Sequence, residues 1–391
     1  MRQHVTRRRF VYSTAALTVG TVALDSTSAA PVDRSIQVKT PKNVKQADVL
    51  FDSSTYTAFP HVIRLDGDEL LMAFRQAPRE KRNRHTHPRS IITVMRSYDR
   101  GSTWDINGAS QLAAGGGQEF APIYLGKGVV GGLLAMHEVV PVREAKRSGI
   151  PHRHRHEYPF GNVGGFWSLS KNHGLTWPLH QNVLFAPGLQ TCSPAIKLKD
   201  GTLLAPLYGQ RKPDSRASSN WLYRSIDNGK TWSKPIAMAR GTLKTRDFYE
   251  PAVLELADNH LLGMHRVGRC QDGRHGLVWQ NESRDGGKSW STPKETNITS
   301  GACPRLLKLS DGRILLTCGR RYPPFGLYAR LSSDGGKSWG KDSWLLRAAP
   351  NSNQGYSSSI ELERGRVFTA CYANNSKGVT GITGTFWDLP T

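Results

Sequence analysis

Five copies of one short pattern, Ser-x-Asp-x-Gly-x-Thr/Ser-Trp, organise this chain. They lie at residues 97–104, 170–177, 225–232, 283–290 and 332–339. The pattern predicts a tight turn between two strands, because the Asp side chain can accept backbone N–H bonds, the Gly can adopt positive φ and the Trp can fold back over the turn. Five such turns, about 50 to 75 residues apart, are typical of a β-propeller.

The second copy departs from the pattern, because Asn172 stands where the others have Asp. An Asn side chain can still accept the turn hydrogen bonds, so we expect this turn to form as well. The repeated motif resembles the Asp-box of the sialidase (neuraminidase) superfamily. That resemblance implies a sialidase-like propeller fold, but it does not by itself imply an activity, since Asp-boxes also occur in propellers that are not sialidases.

A second repeat predicts the number of blades. Six segments share an apolar strand, a tight turn and another apolar strand, and they lie at 61–74, 123–137, 195–208, 252–266, 306–319 and 359–372. Each except the last is followed by an Asp-box, so we predict an all-β, six-bladed β-propeller over residues 49–391. The sixth blade could be closed by strands near 381–387 or by an N-terminal strand near 49–51. The alternative fold is a two-sheet β-sandwich with coincidental turns.

The N-terminal residues predict export rather than part of the propeller. The run TRRRFV at 6–11 fits a twin-arginine signal, and a weakly apolar stretch and a possible cleavage site at 28–30 follow it. We assign residues 1–30 to this signal and 31–48 to a linker. An uncleaved membrane anchor is the alternative, but the apolar stretch is short and contains Ser, Thr and Gly. The expected protein is therefore exported, without a transmembrane anchor.

The chain is strongly basic, with a formal net charge of +22. In an exported protein this charge favours anionic partners such as acidic glycans or glycoconjugates. Nucleic acid is less favoured, because the Lys and Arg residues are scattered over turns and loops without a helix or RNA-binding motif to organise them. The composition gives no indication of an oligomeric state.

The topology of a propeller blade predicts which side chains share a face. First strands begin, and second strands end, on the face opposite the Asp-box turns, and the loops between second and third strands open there. Glu250 and Tyr356 occupy the same register at the start of their first strands. The second strands end at Arg75, His137, Tyr208, Arg266 and Tyr372, with Arg320 one residue past the matching position. This ring predicts either a binding site or a structural ion-pair network.

The long loops on that face contain basic and His-rich runs at 79–89 and 152–157. The HxHxH run could bind a metal, but no carboxylate or Cys spacing completes a ligand set, so we predict no metal and no cofactor. The chain has five cysteines. They are expected to be buried free thiols, although Cys303 and Cys318 fall on partner strands of one hairpin and a disulfide there is an alternative.

The resemblance to sialidases implies roles for several of these residues. Such enzymes use a Tyr nucleophile with a Glu partner, an Asp acid/base and three Arg that bind the substrate carboxylate. Tyr356 in GYSS matches the Tyr, and Glu250 in FYEPAVLEL matches the Glu. Arg266 matches one Arg, and either Arg320 or Arg321 matches another. A neutral nucleophile suits an anionic sugar, because a carboxylate would be repelled.

Two departures from the family pattern alter the expected chemistry. Sialidases have Arg-Ile-Pro where this chain has Ala58-Phe59-Pro60, so that Arg is absent. Arg64 and Arg75 lie nearby in the sequence, and Arg75 has the better register to replace it. Residues 69–98 contain no Asp, where the acid/base is expected. The candidate proton donors there are Glu80, His85 and His87, and Glu119 is a candidate outside the stretch.

Three functions follow from this pattern. The first is a secreted sialidase-like exo-glycosidase that hydrolyses a terminal acidic sugar, other than an ordinary sialoside, from a glycan. The second is a polysaccharide lyase, in which a Tyr and a His beside an Arg remove the proton next to a uronate carboxylate. The third is a glycan-binding propeller without catalysis.

Overall fold

The computed structural model describes residues 36–80, 85–141, 144, 147, 158–211, 217–242, 246–270 and 276–390, without the side chains of residues 114, 269 and 270. In this part of the chain the secondary structure is β-strand, apart from one 3-10 turn at Leu179–Gln181. The strands form six sheets. Four of them contain four consecutive antiparallel strands, one adds an N-terminal strand to four such strands, and one combines another N-terminal strand with the last three strands of the chain. The prediction of an all-β six-bladed propeller is confirmed, and the sandwich alternative is wrong.

The strands are numbered in chain order. The N-terminal pair and the first blade are β1 (Gln37–Lys39), β2 (Lys42–Leu50), β3 (Thr55–Arg64), β4 (Leu70–Pro78), β5 (Ile91–Ser97) and β6 (Asp105–Ala114). Blades two and three are β7 (Gly117–Gly126), β8 (Val129–Val139), β9 (Phe160–Ser170), β10 (Val183–Pro187), β11 (Ile196–Lys197), β12 (Leu203–Gly209), β13 (Ser219–Ser225) and β14 (Ile236–Ala239). Blades four to six are β15 (Arg246–Ala257), β16 (His260–Cys270), β17 (Leu277–Ser283), β18 (Lys294–Thr299), β19 (Arg305–Lys308), β20 (Ile314–Arg320), β21 (Gly326–Ser332), β22 (Asp342–Ala348), β23 (Gly355–Glu363), β24 (Arg366–Asn374) and β25 (Thr380–Asp388).

The N-terminal strand closes the propeller. β2 pairs antiparallel with β25, with Ala47 opposite Gly384, so the sixth blade takes its outer strand from the start of the chain. β1 adds in parallel to β22 of the fifth blade. The two segments expected to close the sixth blade, near 381–387 in β25 and near 49–51 at the end of β2, therefore pair with each other. The assignment of residues 31–48 to a linker is wrong for β1 and β2, whose mostly exposed and polar residues carry little strand signal. Residues 1–30 lie outside the described residues.

The Asp-box turns have the expected hydrogen bonds. In the third copy the Asp227 carboxylate accepts bonds from the Ser225 hydroxyl and the Thr231 backbone N–H, at 2.8 and 2.9 Å. The Trp232 indole folds back and donates to the Gly229 carbonyl at 3.1 Å. Asn172 accepts the same two kinds of bond in the second copy, at 2.8 and 3.0 Å. The expectation that its turn survives is confirmed.

A β-bulge recurs at the start of three inner strands. The register shifts between Ala58 and His61 in β3, between Tyr249 and Ala252 in β15 and between Gly355 and Ser358 in β23. The bulges place three residues at equivalent positions with positive φ, namely Phe59 (60°), Glu250 (47°) and Tyr356 (50°). Residues other than glycine rarely adopt this conformation. A bulge re-aims a side chain relative to a regular strand, so these three residues stand out as candidates for a site.

The described cysteines are all buried and unbridged. In this structure, Cys192, Cys303, Cys318 and Cys371 are thus the expected buried thiols, in their reduced form. The alternative of a bond between Cys303 and Cys318 is wrong, because Cys303 instead faces Cys192 from another blade. Strand pairing alone placed Cys303 and Cys318 together, but Cys303 lies before β19, whose pairing with β20 begins at Arg305 opposite Thr317.

Candidate functional site

The centre of the candidate site is a carboxylate held by two partners. Glu250 Oε1 accepts a hydrogen bond from the Tyr356 hydroxyl at 2.5 Å and another from Arg266 Nη1 at 2.6 Å. Glu250 and Tyr356 lie 106 positions apart in the chain, and both are buried. The three residues that the sequence placed at matching strand ends of two blades are therefore in direct contact.

The pKa values of this group follow from burial and charge. Burial favours the neutral form of Glu250, but the charge of Arg266 and the hydrogen bonds from Arg266 and Tyr356 outweigh it, so the pKa of Glu250 is below its usual value. Burial, and then the charge of Glu250, raise the pKa of Tyr356 well above its usual value. At neutral pH the pair is thus an ionised carboxylate beside a neutral phenol, with the proton on the tyrosine.

Aromatic rings surround Tyr356. The Phe59 ring lies 4.8 Å from the Tyr356 ring and 5.4 Å from the Tyr372 ring, measured between centroids. His85 packs edge-on against Phe59 at 5.3 Å and lies 6.0 Å from Tyr56. Sequence reasoning missed Phe59, although the shared X-Pro dipeptides Phe59-Pro60 and Glu250-Pro251 at equal register could have indicated it.

Arg321 is the second guanidinium group at the centre. It donates to the Tyr372 hydroxyl at 2.8 Å and to the Gln354 carbonyl at 3.2 Å, and it lies 5.5 Å from the centroid of the Tyr356 ring. Arg321 and Arg266 both line a cavity of about 410 Å³. The other residues lining it are Val267, Gly268, Gly276, Gly301, Tyr322 and Ser352. Two cations beside one open cavity form a site suited to a carboxylate.

Arg320 and Arg75 are placed differently from Arg321. Arg320 is buried and donates to the Pro323 carbonyl at 3.0 Å. Of the two alternatives left by the sequence, Arg321 is therefore the one that contacts Tyr372. Arg75 is fully buried with its guanidinium 5.8 Å from the Tyr56 ring centroid, and burial lowers its pKa to about 10. Arg64 donates to the Leu362 carbonyl at the hairpin end, as its register predicts.

The three candidate proton donors separate into two groups. His85 joins the aromatic rings beside Tyr372, whereas Glu80 and His87 contact each other at 3.0 Å. The Arg89 backbone N–H donates to His87 Nδ1, so His87 Nε2 carries the hydrogen that bonds to Glu80. Tyr158 also donates to Glu80, at 2.8 Å. His85 is exposed to solvent, yet desolvation by the neighbouring rings, and then the charges of Arg321 and Arg75, lower its pKa.

Tyr208 and His137, the remaining residues at the ends of the second strands, lie further along the same face. Tyr208 is half-buried, with its ring 5.9 Å from that of Tyr249. Desolvation, and then the charge of Glu250, raise the pKa of Tyr208 well above its usual value. His137 is buried, stacks on Phe160 at 4.8 Å and contacts the Gln190 side chain. Their assignment to substrate binding stays a prediction.

A buried charged network that the sequence did not predict is shared between blades. Glu119 lies 2.7 Å from His61 Nε2 and 3.4 Å from Arg305 Nη2. Arg305 also donates to the Ser193 hydroxyl at 2.6 Å. Burial raises the pKa of Glu119 well above its usual value and lowers that of His61. This network, and not a solvent-facing position, is where Glu119 lies.

Metal binding has no support in the part of the chain that is described. No group of three or more His, Cys, Asp or Glu side chains there is arranged to hold a metal ion. The HxHxH run at 152–156 lies outside the described residues. No described helix is long and apolar enough to span a membrane.

Comparison with known families identifies the family to which this chain belongs. The model of the BNR repeat-like domain matches residues 153–369, which is more than half of the chain. The chain belongs to the BNR repeat-like domain family. This family match supports the resemblance to sialidases that the Asp-boxes carry. None of the curated proteins matches the chain in sequence.

Solved structures of BNR-type propellers superpose on this one. A protein of Dyadobacter fermentans DSM 18053, solved as one of unknown function, has a TM-score of 0.77 and 22% identity over 89% of this chain and 100% of its own. Trypanosoma rangeli sialidase in complex with sialic acid has a TM-score of 0.61 and 15% identity, over 89% of this chain and 59% of the sialidase. The α-L-arabinofuranosidase Arb93A of Fusarium graminearum has a TM-score of 0.62 and 14% identity, over 88% and 97% of the two chains. The TM-scores establish a common fold, and identities this low establish no common substrate.

Proposed function

We propose that this protein is an exported glycosidase that hydrolyses a terminal acidic sugar from a glycan or glycoconjugate. The observation that carries the proposal is the hydrogen bond between Tyr356 and Glu250, with Arg266 on the same carboxylate. A phenol bonded to an ionised carboxylate can lose its proton as it attacks, which makes it a nucleophile at neutral pH. Superposition on a sialidase and an arabinofuranosidase supports glycoside hydrolysis as the class of reaction.

The proposed reaction has two steps. The Tyr356 oxygen bonds to the anomeric carbon as its proton passes to Glu250, and the glycosidic bond breaks when the leaving oxygen takes a proton from a donor on the other side. Water then displaces Tyr356 from the sugar and gives one proton to the donor that lost its own in the first step, while Glu250 returns its proton to the tyrosine. Arg266 keeps Glu250 ionised until the proton arrives, and the product retains its anomeric configuration.

His85 is the proton donor that we favour, because it lies against the same rings as Tyr356. Its lowered pKa leaves the free imidazole neutral at pH 7. A substrate carboxylate bound at Arg321 would offset one of the charges that lower this pKa and would therefore favour the protonated imidazole. Glu80, supported by His87, remains the second candidate for this role.

The acidic nature of the sugar is inferred from Arg266 and Arg321, which line one cavity. A guanidinium group can bind a carboxylate through two parallel hydrogen bonds. Ala58 occupies the position of a third Arg in the family pattern, and Arg75 is buried behind Tyr56. We therefore expect Arg266 and Arg321 to bind the acidic sugar with fewer positive charges than a sialidase provides, so that ordinary sialosides are poor substrates.

A lyase is the second candidate, because Tyr356, His85 and Arg321 lie around one group of rings. Such a set could remove a proton next to a uronate carboxylate bound to the arginine. A binding propeller without catalysis is the third.

Product analysis separates these functions. The purified protein is incubated with sialosides, uronate-containing glycans and arabinosides, and the products are followed by reducing-end assay, by near-ultraviolet absorbance and by mass spectrometry. A hydrolase releases a saturated sugar with one added water. An unsaturated product that absorbs in the near ultraviolet would replace the proposal by the lyase, and glycan binding without any product would replace it by the binding propeller.

A further inference from the structure

Two cysteines from different blades meet beneath the candidate site. The sulfur atoms of Cys192 and Cys303 lie 2.9 Å apart, although the residues are 111 positions apart in the chain. Both side chains are fully buried. Unbonded carbon atoms already rest about 3.5 to 4.0 Å apart, and sulfur is larger, so this separation is short for two independent thiols.

The two cysteines lie on either side of the strand that carries Glu250. Cys192 belongs to the inner end of the third blade and Cys303 to the inner end of the fifth, where each follows a short bridge to the neighbouring second strand. Cys303 Sγ also lies 3.9 Å from the Glu250 carbonyl oxygen. A bond between the two sulfurs would therefore join blades three and five behind the backbone of Glu250.

The environment determines when such a bond can form. Both thiols sit in the apolar cluster that includes Tyr356 and Phe59. Burial raises the pKa of the Cys192 thiol, and the thiolate is the form that reacts with a disulfide. In the closed propeller the pair is thus slow to be oxidised or reduced, so the oxidation state is set while the chain folds.

We propose that Cys192 and Cys303 form a disulfide when the chain folds in an oxidising medium, and that this bond fastens the third blade to the fifth beneath Glu250. Each thiol loses one proton, and the two sulfurs together give two electrons to a low-molecular-weight disulfide such as oxidised glutathione. That oxidant is released as two thiols. The proposal concerns the fold beneath the site and does not depend on which sugar the site takes.

A bond across so long a loop is expected to raise thermal stability. Closing a loop of about 110 residues restricts the unfolded chain more than closing a short one. The same link restrains the backbone at Glu250, which adopts an unfavourable positive φ. The oxidised protein should melt several degrees above the reduced protein.

Disulfide mapping of the full chain tests the proposal directly. The protein is unfolded and refolded either in a mixture of reduced and oxidised glutathione or with a reductant alone. Free thiols are then alkylated under denaturing conditions, and the peptides are identified by mass spectrometry. We expect a linked peptide pair containing Cys192 and Cys303 only in the oxidised sample, with Cys318 and Cys371 alkylated in both samples. Alkylation of Cys192 and Cys303 after oxidative refolding, or a bond from either one to another cysteine, would overturn the proposal.

Melting temperatures of variants provide a second readout. Cys192→Ala and Cys303→Ala should each abolish the difference in Tm between oxidised and reduced protein. Cys318→Ala is the matched control, since it also removes a buried thiol, and it should keep that difference. Loss of the difference in Cys318→Ala, with retention in the other two, would count against the proposal. Mapping of the unmodified chain decides the question if a variant does not fold.

Discussion

At the residue scale, Tyr356 offers the most direct test of the proposed chemistry. Tyr356→Phe removes one hydroxyl and keeps the ring that packs on Phe59. We expect turnover to be lost while the Tm stays within a few degrees, because the hydroxyl contacts Glu250 and the apolar contacts of the ring remain. Steady-state kinetics and a thermal melt measure both. Near-normal turnover of the variant would exclude Tyr356 as the nucleophile.

Arg266 allows a second residue-scale prediction. A charge-assisted hydrogen bond contributes about 1.5 to 3 kcal/mol, so Arg266→Ala should lower kcat/KM by roughly tenfold or more. Arg266→Lys should recover only part of this, since an ammonium group cannot form the same fork. Loss of Arg266 also removes the largest influence that lowers the pKa of Glu250, so the acidic limb of the pH–rate profile should move to higher pH. An unchanged kcat/KM and pH profile would place the site elsewhere.

At the scale of an element, the Asp-box turn makes a prediction about stability and pH. The carboxylate of Asp334 accepts bonds from the Ser338 backbone N–H at 2.9 Å and the Ser338 hydroxyl at 2.5 Å. The hydroxyl bond and then the backbone bond lower the pKa of Asp334 to about 2. Because the folded pKa lies below the unfolded value of about 3.9, the stabilisation is present above pH 4 and is lost as the pH falls towards 2.

We therefore expect Asp334→Ala to lower the Tm by a few degrees at pH 7 and to flatten the loss of stability between pH 4 and pH 2. Asp334→Asn is the matched control, because Asn172 makes the same acceptor bonds in the second box. It should keep most of the stability at pH 7. Thermal melts at several pH values measure both effects, and equal melts for the Ala and Asn variants at pH 7 would show that the acceptor bonds contribute nothing.

At the scale of the whole molecule, the closing strand is the expected weak point. Removal of residues 1–35 should leave an all-β protein with a similar Tm, since it spares every described strand. Removal of residues 1–50 also deletes β2, which covers β25, and exposes an unpaired strand edge. We expect the Tm of the longer deletion to fall by about 10 °C or more, or the protein to aggregate. Circular dichroism measures both, and equal melts would show that β2 does not close the propeller.

The basic charge of the molecule predicts where an anionic glycan would extend beyond the cavity. The guanidinium groups of Arg211 and Arg240 lie 5.3 and 5.4 Å from the Trp221 ring centroid, on the face that carries Glu250. No ion pair with either arginine is found among the described residues. An arginine stacked on an aromatic ring keeps its N–H groups available for carboxylate or sulfate.

The double variant Arg211→Ala/Arg240→Ala should elute from a heparin column at lower salt than the unmodified protein. The matched control is Lys230→Ala/Lys288→Ala, which removes the same charge from exposed Asp-box turns on the opposite face of blades three and four. It should elute close to the unmodified protein. Equal shifts in the two double variants would indicate binding by net charge alone, without a preferred face.

Much of this architecture can be predicted from local patterns. The Asp-boxes and hairpins specify their own turns through contacts within a few residues, so their count predicts six blades. Counting residues from each hairpin also predicts that Glu250, Arg266 and Tyr356 lie on one face, because paired strands keep a fixed register along each blade.

Contacts between blades depend on how the ring closes, and local patterns do not encode that geometry. Tertiary structure alone decided that Arg321 rather than Arg320 meets Tyr372, and that His85 rather than His87 joins the rings around Tyr356. It also decided that Cys303 faces Cys192 and not its hairpin partner Cys318. Each pair joins residues from separate blades or from a long loop, so the distance between their atoms is set by packing around the propeller axis.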